Sequence, residues 1–139
     1  MRAYLNGGHA YHATLPTDGL ATFYQAYLEM VDIGIDSLKA RQIKLGVSVR
    51  NMMNEFGFKS LAADGFQSPT VVVCHTTRDD LKNGSAFAAA GLQIAAGVPL
   101  QCGESDDLKT FRIGLFGIDK LMNEDRTLTH LRDCLKKIT

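Results

Sequence analysis

The chain has 139 residues, 45% apolar and 22% charged, which suits one globular domain with a core of its own. Its 15 basic residues balance 15 acidic ones, so no cationic surplus points to nucleic acid or an anionic membrane surface. No apolar run reaches the roughly 18 residues of a membrane helix, and the N-terminus lacks the apolar stretch of a signal peptide.

Residues 1–16 read as an extended or irregular arm, with Asn6-Gly7-Gly8 as loop and Pro16 pushing Leu15 out of helix. Thr17 then serves as a helix cap. Leu20, Phe23, Tyr24, Tyr27, Leu28 and Val31 follow at spacings of three and four, an amphipathic helix ending near Gly34. A second helix starts at Asp36 or Ser37 and carries Leu38, Ile43, Leu45, Val47, Val49, Met52, Met53 and Phe56 to a stop at Gly57. Gly46 weakens its middle slightly.

The pattern then changes. Phe58–Ala62 is a short strand candidate, and Asp64-Gly65 and Ser68-Pro69 mark turns. Thr70–Thr76 is the clearest strand, apolar enough at its centre to suggest burial on both faces. Asp79-Asp80 opens a helix that ends at Gly91. Leu92–Ala96 is a further strand, Gly97–Lys109 a long loop, and Thr110–Gly117 a strand again. Glu124-Asp125 starts a last helix with Leu128, Leu131, Leu135 and Ile138 on one side. This order predicts an α+β domain: a small, mostly antiparallel sheet of three to four strands with helices packed on it, preceded by two long helices. The boundaries expected are an arm over 1–16 and a domain over 17–139.

Two stretches carry chemistry. Along the strand Thr110–Gly117, alternation puts Phe111, Ile113 and Leu115 on one face, and Arg112, Gly114 and Phe116 on the other. A guanidinium beside a residue without a side chain suits a carboxylate gripped through a planar fork of donors. The alternative is an edge-strand arginine that reaches water or pairs with Asp106 or Asp107. The second stretch is Tyr11-His12-Ala13-Thr14-Leu15-Pro16. It sets two hydroxyls ahead of a helix N-terminus, where phosphate is favoured. Other candidates are weaker. His75 reads as a polar strand end, and His9, His12 and His130 have no metal-ligand spacing. Glu104, Asp106 and Asp107 form a solvated acidic loop, and no residue is assigned as a metal ligand. Cys74, Cys102 and Cys134 fit no C-x-x-C pattern and read as reduced thiols of a cytoplasmic protein.

Together, Tyr11-His12-Ala13-Thr14-Leu15-Pro16, Ser68-Pro69-Thr70-Val71, Gly91–Gly97 and Phe111-Arg112-Ile113-Gly114-Leu115-Phe116-Gly117 fall in an order that resembles the C-terminal small domain of class V aminotransferases. These are fold-type-I pyridoxal-phosphate enzymes, and the alanine–glyoxylate and serine–pyruvate branch is the most similar. The resemblance implies a homodimer that moves an amino group from an amino acid to a 2-oxo acid such as pyruvate or glyoxylate. It implies that Arg112 binds the substrate α-carboxylate, and that Tyr11 and Thr14 reach the phosphate of pyridoxal 5'-phosphate in the neighbouring subunit. It also implies that the loop from Gly97 to Cys102 lies near the substrate. The family's large domain, with the Schiff-base lysine, precedes the first motif. Here only ten residues precede Tyr11, and none is lysine. Lys39, Lys44 and Lys59 fall within the small-domain region and are not assigned that role. The expectation is therefore part of an aminotransferase, with no catalytic residue of its own and inactive alone. Two other readings stand beside it: a free-standing α+β module that binds a small carboxylate through Arg112, and an association domain whose arm docks on a partner chain.

Overall fold

A computed structural model of the chain describes residues 2–8 and 14–139. The chain divides into two units, one up to Ile35 and one from Asp36 to Thr139.

The first unit holds α1 (Arg2–Leu5) and α2 (Thr17–Ile33). The turn of helix at α1 departs from the extended arm expected there: Arg2, Ala3 and Leu5 are good helix formers, and Asn6 N–H closes the turn on Arg2 O at 3.1 Å. In α2, Thr17 is the first helical residue and not the cap. Pro16 holds the cap position with no side-chain hydrogen bond, as suits a residue with fixed φ at a helix start. At the other end, Gly34 N–H caps the carbonyls of Met30 and Val31. The expected apolar stripe is present, but no α2 residue is buried. Phe23 and Tyr24 are 68% and 57% exposed.

The second unit contains α3 (Ile35–Glu55), β1 (Val71–His75), α4 (Asp79–Lys82), α5 (Ser85–Ala89), β2 (Ala95–Ala96), β3 (Thr110–Gly114), α6 (Ile118–Met122) and α7 (Glu124–Ile138). It is the small α+β domain expected. The sheet is antiparallel in the order β1-β3-β2. Val72 faces Ile113 and Cys74 faces Phe111, and these four side chains are buried. Leu45, Val49 and Met53 of α3, Phe87 of α5 and Leu131, Cys134 and Leu135 of α7 complete the core. Phe111 sits at its centre, with the rings of Phe58 and Phe87 5.3 and 5.1 Å away.

Several elements differ from the sequence reading. Burial alternates along β1, so that strand is covered on one face and half-exposed on the other. The expected strand Phe58–Ala62 contracts to one bridge, Ser60 to Cys74, closed by Leu61 N–H to Val73 O and His75 N–H to Lys59 O, both 2.9 Å. The expected strand Leu92–Ala96 keeps only Ala95–Ala96. The helix after Asp79 breaks in two at Asn83-Gly84, and α6 fills a stretch with no predicted element. Of the α3 stripe, Ile43 and Val47 are exposed.

One contact sets where β1 enters the sheet. Gln42, Gly46 and Arg50 recur every four residues and so share a side of α3. Gln42 Nε2 donates to Pro69 O at 2.8 Å. Arg50 donates to the carbonyls of Ser68, Val71 and Gly46. Between them Gly46 lies buried under Pro69: a Cβ there would stand 2.8 Å from Pro69 O and 2.9 Å from Pro69 Cα. Gly46 is thus a close-approach position, not merely a weak helix residue. Alanine at an open helix site would add about 1 kcal/mol, but a buried backbone clash costs about 1–3 kcal/mol. Gly46→Ala should therefore lower stability, dropping the thermal midpoint by several degrees in a melt followed by circular dichroism. A midpoint at or above the wild-type value would contradict the close approach.

Candidate functional site

Arg112 lies at the middle of β3, the central strand. Val73 stands opposite it on β1 and Ala95 on β2, so these three share the half-exposed face of the sheet. Gly114 follows on the same face and is exposed. A Cβ there would meet only the Phe116 ring, at 3.6 Å, so the strand is open at Gly114. Phe111 and Ile113 point the other way into the core, as the alternation predicted.

The guanidinium donates once, from Nε to Ala96 O at 3.0 Å. Among the described residues no carboxylate pairs with it, and both terminal nitrogens lack a hydrogen-bond partner. Asp106 and Asp107, the alternative partners, do not take it. An arginine anchored at Nε with two terminal nitrogens open keeps the planar pair of donors that a carboxylate would need.

The neighbouring chain is held tightly. Gly97 follows β2, and a Cβ there would fall 2.0 Å from Thr110 O, so only glycine lets the backbone pass. Gly97 N–H donates to Lys82 O at 2.9 Å, and Thr110 is buried. Further along the loop, Glu104 stays at the surface but is more than a solvated acid. Its carboxylate accepts from the backbone N–H groups of Leu100, Gln101 and Cys102, and from the Cys102 thiol at 3.5 Å. These bonds hold its pKa at about 2, and Gln101 adopts a φ of 59° within the ring so formed. The same carboxylate pushes the Cys102 thiol up, so Cys102 is no activated nucleophile. Nothing in the sequence pattern distinguished Glu104 from Asp106 and Asp107. Its backbone partners, two to four residues upstream, are a turn signature that only coordinates reveal.

The remaining candidates fall elsewhere. Tyr11, His9 and His12 lie outside the described residues. Thr14 is exposed just ahead of α2, in the first unit. His75 ends β1 half-buried, opposite Thr110, as a polar strand end. Among the described residues no cluster of His, Cys, Asp or Glu could hold a metal ion, and no helix is long and apolar enough to cross a membrane.

No protein-family model matches the sequence, and no curated protein sequence matches it. Solved structures do share the fold. An alanine–glyoxylate aminotransferase from Nostoc sp. superposes with a TM-score of 0.72 at 16% identity, over 93% of this chain and 33% of that one. A ureidoglycine–glyoxylate aminotransferase from Bacillus subtilis gives 0.56 at 16% identity, over 78% of this chain and 28% of that one. The chain has an aminotransferase-like fold and spans about a third of the length of these enzymes.

The Glu104 ring makes the loop sensitive to acid. Its folded pKa of about 2 lies below the ordinary value of 4.5. Its contribution is therefore complete above the ordinary value and is lost as pH falls through about 2. The amide resonances of Leu100, Gln101 and Cys102 should titrate together near the lower value, and Glu104→Gln should abolish that titration. A midpoint near 4.5 would show that the carboxylate is not so bound.

Proposed function

We propose that residues 17–139 form the small C-terminal domain of a pyridoxal-phosphate aminotransferase, with residues 1–16 as a connecting arm. In the whole enzyme, an amino group passes from an amino acid to a 2-oxo acid such as pyruvate or glyoxylate. Arg112 binds the α-carboxylate, and Tyr11 and Thr14 contribute hydroxyls to the cofactor phosphate across a dimer. The observation that carries this reading is the Arg112 fork, open at both terminal nitrogens on a half-exposed sheet face. The fold shared with part of two glyoxylate aminotransferases supports it.

The surroundings of Arg112 do not make a whole cofactor site. Pyridoxal phosphate needs an amine for its imine and a cradle for its phosphate. The strand neighbours of Arg112 are Val73 and Ala95, and neither carries an amine. Lys44 is tied to Glu124 at 2.7 Å and Lys109 to Asp79 at 2.7 Å. We therefore derive no catalytic step within this chain, and we expect it to bind a carboxylate without turnover. The enzyme is read as a cytoplasmic homodimer. The bare apolar side of α2 supports association, since a contiguous exposed stripe of this kind marks a contact surface.

Two measurements test this. In calorimetric titrations, small 2-oxo and amino carboxylates should bind the chain, and Arg112→Ala should abolish the heat. In the whole enzyme the same change should raise the Michaelis constant about tenfold to a hundredfold, because charge-assisted hydrogen bonds contribute about 1.5–3 kcal/mol. An unchanged constant would remove Arg112 from the site. In equilibrium sedimentation the wild-type chain should be dimeric, and Phe23→Glu combined with Tyr27→Glu should yield monomer. A monomeric wild type would refute association through α2.

A further inference from the structure

A hollow lies at the end of β3, and Arg112 is not among its lining residues. It encloses about 330 Å³ between the segment before β2, the end of β3 and helices α6 and α7, within the range of small-molecule sites. Ile113, Leu115 and Leu131 form its buried apolar floor, and Leu92 and Ile94 its half-buried wall. The rim is polar and cationic. Asp119, its acid, is already taken by Arg126 and by Asn123 Nδ2 at 3.1 Å. Lys120 has no acid partner, since its Nζ donates only to Phe116 O at 2.8 Å. His130 and Gln93 complete the rim, and neither side chain has a hydrogen bond among the described residues.

We propose that this hollow binds a small apolar carboxylate. Its hydrocarbon part would fill the space over Ile113, Leu115 and Leu131, and its head would meet Lys120 and His130. The charge balance decides the head. Arg126 and Asp119 neutralise one another, which leaves Lys120 as uncompensated cation at the mouth of an apolar cavity. An anionic head is attracted there, and a cationic one is repelled. The floor decides the tail: apolar walls have no partner for a polar chain, and gain from covering by hydrocarbon. The site does not rest on the transaminase reading: Gly114 borders the hollow, but Arg112 does not line it.

Octanoate and its neutral counterpart octanol serve as probes, titrated into the isotopically labelled chain and followed by methyl and amide NMR. Octanoate should give saturable shifts at Leu92, Ile94, Ile113 and Leu131, with octanol at least tenfold weaker. Leu92→Trp, which fills the hollow from its wall, should abolish the shifts. Lys120→Glu, an exposed change that leaves the core alone, should weaken octanoate at least tenfold and leave octanol unchanged. Shifts spread over the whole chain, no saturation, equal affinity for the two probes, or full octanoate binding to Lys120→Glu would each overturn the proposal. Arg112→Ala should leave octanoate binding intact, so failure here is separable from failure of the aminotransferase reading.

Discussion

A guanidinium held by carbonyls alone joins the long helix to the sheet. Arg50 of α3 donates to Gly46, Ser68 and Val71 carbonyls and has no acid partner among the described residues. The charge is partly desolvated, and burial lowers its pKa. Cys74 lies close enough to feel it, yet burial pushes that thiol up to about 12, so no thiolate balances the cation at neutral pH. The arrangement persists because backbone carbonyls of the turn into β1 need donors, and Pro69 interrupts the local supply of N–H groups. Arg50 and Gln42 provide them, while Gly46 keeps the turn close enough to be reached.

This seat fixes β1, and β1 fixes β3. Thr70 O, just beyond the turn, accepts from Leu115 N–H at 2.9 Å, and five residue pairs then run in register to His75 and Thr110. Because side chains alternate, a slip of one residue would turn Arg112 into the core and Phe111 out to solvent. The direction of the candidate anchor is thus decided at the far edge of the sheet. The two arginines mark the contrast: Arg50 gives its terminal nitrogens to three carbonyls and leaves its buried Nε without a partner, whereas Arg112 gives its Nε to Ala96 and keeps its terminal nitrogens.

Much of this was legible in the chain. Alternation along residues 110–115 correctly sorted Phe111, Ile113 and Leu115 from Arg112 and Gly114, because a period of two has one solution once a face is apolar. The three-and-four spacing likewise located α2, α3 and α7. Contacts between distant segments were not legible. Arg50 reads as an ordinary charge on a helix, and Gly46 as a mild defect, until Pro69 is brought against them. Local apolarity also overstated the strands: Leu92–Ala96 and Phe58–Ala62 have the composition of strands, but only short lengths of each find pairing partners.

The same packing bears on the anchor role proposed for Arg112. A flexible arginine loses rotamer freedom when it grips a ligand, and that loss weakens binding. Here the Nε bond to Ala96 O holds the guanidinium at one corner before any ligand arrives. Ala96 is itself held, because Gly97 threads directly beneath Thr110 and donates to Lys82. Beyond it the Glu104 ring stiffens the turn at residues 100–102. Under the proposed role, part of the order that binding would cost is already supplied by these contacts, and the terminal nitrogens remain as the part of the side chain with hydrogen-bonding capacity to offer.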